Sequence, residues 1–291
     1  MLVELLNGAL EKAIYSIPFT HESLQAQVFG DSPPSVYPVR WQRHRRIGAW
    51  RARQLVGFLD AAVGLDTDSA ELPDYQPLGL IRFLLLPQRA DLIDDVAHGL
   101  LDAALQFWRG AGVGVVKAFH LSTGYPNFQI GAGFLPGDWA DHVRVLTADG
   151  YRLVDRSYCL RRSLRQPVEE VTPLAGLSLV LRGQRQDRVY ELFRRSDRIG
   201  SARVIAMLPD AAEPIVQISR LVNLYVDSQW RGQDIGKWLL RRLINDLTIQ
   251  GCGQMVAFLD YSQHVAINLL NQQGFEELSY RGYSLEKVLK D

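Results

Sequence analysis

At 291 residues, with 47% hydrophobic and 22% charged side chains, the chain is long enough for one large domain or two ordinary ones, each with a substantial core. Lys plus Arg and Asp plus Glu balance at 32 each, so no whole-molecule field favours a nucleic acid or an anionic membrane. Its two cysteines, Cys159 and Cys252, lie far apart with no Cys or His at metal spacing, which argues against a disulfide framework or a zinc centre. No metal is expected, and a reducing cytoplasm is the default location.

The N-terminal run MLVELLNGALEKAIYSIPF carries Glu4 and Glu11 among its apolar residues and lacks a basic start, so it does not read as a signal peptide. No apolar stretch reaches the roughly 18 residues of a membrane helix. THESLQAQVFG at 20–30 predicts a helix entered through a Thr or Ser cap. RWQRHRRIGAWRAR at 40–53 holds six arginines, and no carboxylate occurs between Asp31 and Asp60. Three readings stay open for it. Trp41 and Trp50 interleaved with arginine suit stacking on bases, the charge suits an acidic acceptor, and the alternation suits a half-buried strand with arginine turned outward. The zero net charge speaks against nucleic acid.

LGLIRFLLLP at 78–87 reads as a strand, and the apolar residues at 92, 93, 96, 97, 100, 101 and 104 mark one face of a helix. WRGAGVG at 108–114 follows that helix and resembles a phosphate loop. GVGVVKAFH at 112–120 is a further strand, and GYPNFQIGAGFLPGDW at 124–139 reads as an insertion whose Gly131 and Gly133 supply loop flexibility. In the second half LSLVLRGQRQDRVYELF passes almost directly from strand to strand, ISRLVNLYVD at 218–227 is a strand, and Ile235, Trp238, Leu239, Leu243, Ile244 and Leu247 form a helical face. GQMVAFLDY at 253–261 closes the series.

Sliding one half over the other by about 141 residues superimposes both strand, helix, strand units, each of a length that makes a right-handed crossover between parallel strands. The slide places Gly110 on Gly251 and Gly112 on Gly253, at the C-terminal end of each helix, where glycine supplies a left-handed cap. RGAGVG is therefore a helix stop. An anion needs the other end, where free N–H groups and the positive end of the dipole lie. There RGQDIG follows a strand and opens a helix, so Arg231 through Gly236 can turn N–H groups to an anion beside Lys237. The matching stretch of the first half, ADLIDD at 90–95, has three carboxylates and no glycine. Only the second half keeps an anion site.

LYVDSQWRGQDIGKWLL at 224–240 resembles the signature of the GNAT acyltransferase superfamily, Arg/Gln-x-x-Gly-x-Gly/Ala after a strand. Arg231 takes the first place and Gly236 the last, while Asp234 stands where the middle glycine is usual. QHVAINLLNQQGF at 263–275 is similar to a second motif of that family in Ala266, Leu269, Gly274 and Phe275. Gln263 replaces its Asn, and Leu270 replaces the Tyr that commonly protonates the departing thiolate. HVRVLTADGY at 142–151 is a more degenerate copy. The resemblance covers most of 176–291 by motif and about 1–165 by order of elements alone. It implies an α/β (α+β) protein of two GNAT-like domains, each a mixed, partly antiparallel sheet flanked by helices. Residues 1–165 would be a degenerate domain without cofactor motif, and 166–291 the domain with the acyl-CoA pyrophosphate loop.

For function the resemblance implies an N-acetyltransferase that takes acetyl-CoA, or another acyl-CoA, as co-substrate and passes the acyl group to a small-molecule or peptide amine. The pyrophosphate would lie on Arg231, Gly232, Gln233, Asp234, Ile235, Gly236 and Lys237. Leu224, Tyr225 and Val226 would lend main-chain groups to the carbonyl, and Asn268 completes the donor set. Candidate proton carriers are His264 and Tyr261, with Asp260 and Asp227 nearby in sequence. Equally, His264 is an ordinary first-turn residue and Asp227 a turn former. In tandem members of the superfamily one half does the chemistry while the other shapes the acceptor site. The short link before 186 leaves the second half no acceptor lid of its own, a role that passes by default to the first half. The losses at Leu270 and Asp234 keep open an alternative of another class, a non-catalytic acyl-CoA-binding sensor. Neither the acceptor nor the oligomeric state can be read from the residues.

Overall fold

The apolar periodicities of the two halves condense into two separate cores. A computed structural model describes residues 1–37, 39–66, 77–120, 124–207 and 217–289. The chain divides into unit 1, Met1–Ser157 with Arg281–Asp291, and unit 2, Tyr158–Tyr280. Among the described residues no helix is long and apolar enough to cross a membrane.

In unit 1, helix α1 (Leu2–Leu10) turns Leu6 and Leu10 into the core. Helix α2 (His21–Leu24) starts where the sequence predicts, with Thr20 and Ser23 exchanging side-chain and backbone bonds in a capping box. It runs on as a π turn, Gln25–Phe29. Strands β1 (Val39–Arg51), β2 (Gln54–Asp66) and β3 (Leu78–Leu85) form an antiparallel series, then helix α3 (Ile93–Arg109) crosses to β4 (Val115–Ala118), parallel to β3. The short strand β5 (Leu135–Pro136), helix α4 (Ala140–Ala148) and strand β6 (Arg152–Ser163) follow. The end of the chain's last strand, Leu285–Val288, pairs antiparallel with β4.

The compact units divide at a different place from the boundary expected at 165/166: unit 1 ends at Ser157 and includes the described residues 281–289, where Leu285 is in the core and Lys287 bonds Asp149 at 2.7 Å. Short-range periodicity cannot report such a return, because it depends on partners 138 to 173 residues away in sequence.

In unit 2 the strands β7 (Leu177–Gln184), β8 (Asp187–Arg194), β9 (Asp197–Met207) and β10 (Ile218–Val226) are successive antiparallel neighbours. Helix α5 (Ile235–Ile249) crosses to β11 (Gln254–Asp260), parallel to β10, and helix α6 (His264–Gln272) leads to β12 (Glu276–Val288). The sequence is right that no helix intervenes before β7, β8 and β9.

Three further expectations need adjustment. The left-handed cap of α3 is Gly112, at φ +69°, whereas Gly110 is right-handed at φ −65°. Gly251, at φ +83°, is the counterpart of Gly112, because Val113 N donates to Trp108 O as Cys252 N donates to Leu247 O. At the caps the offset between the halves is therefore 139, not 141. Gly131 and Gly133 do not serve flexibility: a Cβ on Gly133 would meet the Gly124 backbone at 2.6 Å, and Phe128, Ile130 and Phe134 are buried. Finally, not every arginine of β1 points outward. Arg46 donates to Val28 O and Gly30 O, and buried Arg82 donates to Gln27 O and Asp60. The two guanidinium groups satisfy carbonyls that the π turn leaves without helical partners.

Candidate functional site

The two crossover units differ at the N-terminal ends of their helices. At α3 the first turn carries Asp94 and Asp95, Arg144 bonds Asp94 at 2.6 Å, and Arg89 is paired with Asp91. At α5 there is no acidic residue in the first turn and no side-chain cap. None of the N–H groups of Gly232 through Lys237 has a protein acceptor among the described residues. Exposed unpaired donors at the positive end of a 15-residue helix favour an anion.

The backbone explains how the loop presents them. Gly232 has φ +74° and open space around its missing Cβ, and Asp234, at φ +56°, ψ 10°, is left-handed. Asp and Asn tolerate this region better than other non-glycine residues. Asp234 can therefore occupy a position where glycine is usual, with its carbonyl accepting from Trp238 N at 2.9 Å. Gly236 sits against the Leu224, Val226 and Leu269 side chains, where a Cβ would lie 3.8 to 3.9 Å away. Ile235 is buried, so only its main chain is available to a ligand. Arg231 and Gln233 are exposed, and Lys237 is half-buried.

Beside this loop the sheet parts. Parallel pairing of β10 with β11 ends at Leu221 opposite Ala257, although β10 continues to Val226 and β11 to Asp260. Pairing with β9 continues to Val226 opposite Gly200, with a register shift between Leu221 and Asn223. Alternate residues of an antiparallel strand turn their peptide groups away from the partner. Val226 is one of these, since Arg231 Nε donates to its carbonyl at 2.9 Å. The Arg231 guanidinium lies 5.9 Å from the centre of the Tyr225 ring. A hydrogen bond to Asp227 pushes the exposed Tyr225 phenol above its ordinary pKa and keeps it a hydroxyl. The sequence did not single out this Tyr225–Asp227 pair, although the two residues alternate onto one face.

The proposed proton carriers come together. Tyr261 is exposed beyond the end of β11, its ring 5.7 Å from Tyr158 and 5.4 Å, edge to face, from His264 at the start of α6. The intervening turn is held by Ser262 N donating to Asp260 and Asp260 N donating to Gln263. Asn268 is exposed on α6. Leu270 is different: at 2% exposure it belongs to the core of unit 2. It is no substitute for a hydroxyl-bearing residue at a reacting sulfur, because its side chain is used for packing.

Unit 1 gathers aromatic side chains beside its own parallel pair. Pairing of β3 with β4 ends at Ile81 opposite Ala118, and Phe83 of β3 is surrounded in the core by Phe119, Tyr125, Phe128 and Trp139, whose ring centres lie 5.3 to 6.2 Å from its own. His142 takes the Leu84 carbonyl at 3.1 Å, and burial pushes its pKa down to about 4.

These features define an α/β protein with uncapped N–H donors beside a strand parting in unit 2, and a helix start carrying paired acidic residues in unit 1. Residues 186–277 match the family model described as an acetyltransferase (GNAT) domain. No curated protein matches the chain in sequence. Among solved structures, a tandem GNAT protein from the clavulanic acid biosynthesis pathway is similar over 100% of this chain and 95% of its own, with TM-score 0.68 at 14% identity. A glucosamine N-acetyltransferase region of a fungal multi-domain β-N-acetylglucosaminidase is similar over 92% of this chain and 36% of its own, with TM-score 0.62 at 14% identity. An N-acetyltransferase from Sphaerobacter thermophilus has TM-score 0.54 at 12% identity, over 82% of this chain and 78% of its own. The chain thus has the tandem GNAT fold, and the match to the GNAT domain model falls within its second half.

Proposed function

We propose that the protein is an N-acetyltransferase that uses acetyl-CoA, or another acyl-CoA, and that the donor binds unit 2 alone. The observation that carries this reading is the run of N–H groups from Gly232 to Lys237 without acceptors among the described residues, opened by two left-handed residues beside a parted sheet. Arg231 and Lys237 add positive charge. The donor supplies a thioester. Main-chain groups of Leu224 to Val226 on the parted side would polarise its carbonyl, and such preorganised donors contribute roughly 3 kcal/mol. The acceptor amine attacks the carbonyl carbon, the carbon–sulfur bond breaks, and the nitrogen loses one proton. His264 and Tyr261 are placed in one cluster to take that proton. The thiolate is a good leaving group and takes its proton from solvent, so Leu270 need not supply one. Asn268, exposed on α6, is assigned to the donor side. The acceptor is a small-molecule or peptide amine. Unit 1 is read as a degenerate domain without the cofactor motif, its α3 opening instead on Asp94 and Asp95.

Burial of Leu270 also favours a second reading, an acyl-CoA sensor without turnover. One set of measurements separates them. Calorimetry with CoA, and thiol release over an amine panel, should show binding and turnover in the parent, no binding in Gly236→Glu, and retained binding with at least tenfold slower turnover in a His264→Gln, Tyr261→Phe double variant. Binding with no turnover on any amine selects the sensor. Absence of CoA binding sinks both.

A further inference from the structure

β1 stands at one end of the strand order and is hydrogen-bonded to β2 alone, so one edge of a 13-residue strand is unpaired among the described residues. On it Arg40, Arg43, Arg45 and Arg51 are exposed, as is Arg53 in the adjoining turn. None of the five makes an ion pair or side-chain hydrogen bond with a described residue, although Arg51 is near enough to Asp91 to help hold its carboxyl down. Across the ladder, Arg43 faces Val63 and Arg45 faces Ala61, and the one carboxylate on this part of β2, Asp60, is buried against Arg82. The chain's net charge is zero, so this is a local excess that the rest of the molecule balances elsewhere. Like charges two residues apart on a strand lie about 7 Å from each other and repel. Charged edges discourage pairing between identical chains, but a partner of opposite sign meets both the unused backbone and the unused charge.

We propose that β1 is a docking edge for an extended acidic peptide, which adds as a strand alongside Arg43–Ala49 with carboxylates at alternate positions facing Arg43 and Arg45. The register shifts at Trp41/Arg43 and Ala49/Trp50 bound the regular stretch, so the occupant is about seven residues long. A single-stranded nucleic acid fits less well. Stacking needs free aromatic faces, and Trp41 is committed: Arg82 lies 4.9 Å from its ring centre, His44 packs on it, and its Nε1 donates to Pro33 O. Trp50 alone is left, 60% exposed. The surface belongs to unit 1 and does not depend on the donor reading for unit 2.

Fluorescence polarisation with the full chain tests this, using a labelled Thr-Glu-Val-Glu-Thr-Glu-Val peptide, its Glu-to-Gln counterpart, two versions N-methylated on odd or even amides, and an eight-residue oligothymidylate. The acidic peptide should bind. Arg43→Ala with Arg45→Ala should weaken it roughly five- to tenfold with melting unchanged. The Gln peptide should weaken similarly, and one N-methylated version, but not the other, should lose binding. No binding of the acidic peptide overturns the proposal. So does unchanged binding of both N-methylated peptides, which makes the contact one of charge alone, and so does tighter binding of the oligonucleotide. The peptide comparisons need no variant, so a misfolded double variant leaves the proposal open to refutation.

Discussion

Asp234 is the most informative residue to change, because its backbone and its charge act on the proposed donor loop in opposite directions. Its left-handed φ of +56° costs a non-glycine residue about 1 kcal/mol, less for Asp than for most. Glycine relieves that strain but makes the unfolded chain more flexible by a comparable amount, so Asp234→Gly should leave stability nearly unchanged. Its carboxylate has no capping partner and is exposed beside the N–H groups assigned to a pyrophosphate. Two phosphate charges about 8 Å away in a water-like dielectric repel it by at most roughly 1 kcal/mol, less in salt. Asp234→Asn keeps the backbone preference and removes the charge, so CoA should bind it up to about fivefold tighter. Asp234→Gly should do at least as well, because the main chain can also approach more closely. Calorimetry at low and high salt, with melting curves alongside, separates the effects. If either variant binds CoA more weakly while melting as the parent does, the carboxylate contributes directly and the assignment of this loop to a pyrophosphate is wrong.

Three further outcomes follow from particular contacts. Gly112→Ala should destabilise unit 1 by about 1 kcal/mol in denaturant titration without affecting CoA affinity, because φ is +69° there, while right-handed Gly110→Ala should cost less. Leu270→Ala should cost roughly 2–5 kcal/mol by the same method, and Leu270→Tyr should overpack the core rather than raise turnover. The buried His142 has its pKa pushed down to about 4, so it is neutral when folded and takes up a proton more readily when unfolded. Stability should therefore be full above pH 6.5 and fall as pH drops toward 4, by at most about 3 kcal/mol. Half-buried His44, also pushed down to about 4, adds a smaller share. Melting temperature against pH should flatten in His142→Gln, and an unchanged slope would refute the assignment.

Much of the architecture was legible in the residues because it depends on local rules. Helical faces, strands flanked by turn formers, the Thr20 cap and the contrast between RGQDIG and ADLIDD are set within a few residues of one another. The same locality marked residues 231–237 as the proposed anion site. It also gave the clustering of Tyr261 with His264, since both lie across one short turn. What local rules could not settle are contacts between distant segments. That Leu285–Val288 completes unit 1 depends on β4, that Arg46 turns inward depends on the π turn near residue 28, and that Leu270 is core depends on the packing of α6.

The sequence by itself determined which helix end carries glycines that stop a helix and which carries free donors, because capping and dipole are properties of the helix alone. Only the tertiary structure decided what packs beside each strand parting. In both units the ladder between parallel strands ends early; in unit 1 Phe119, Tyr125, Phe128 and Trp139 are brought to Phe83, while in unit 2 Phe258 of β11 meets Tyr280 edge to face with Arg220 over its ring. An insertion reads as a loop until its side chains have somewhere to go. Those rings are buried in the core of unit 1, and no pattern within 124–139 specifies the strands against which they pack.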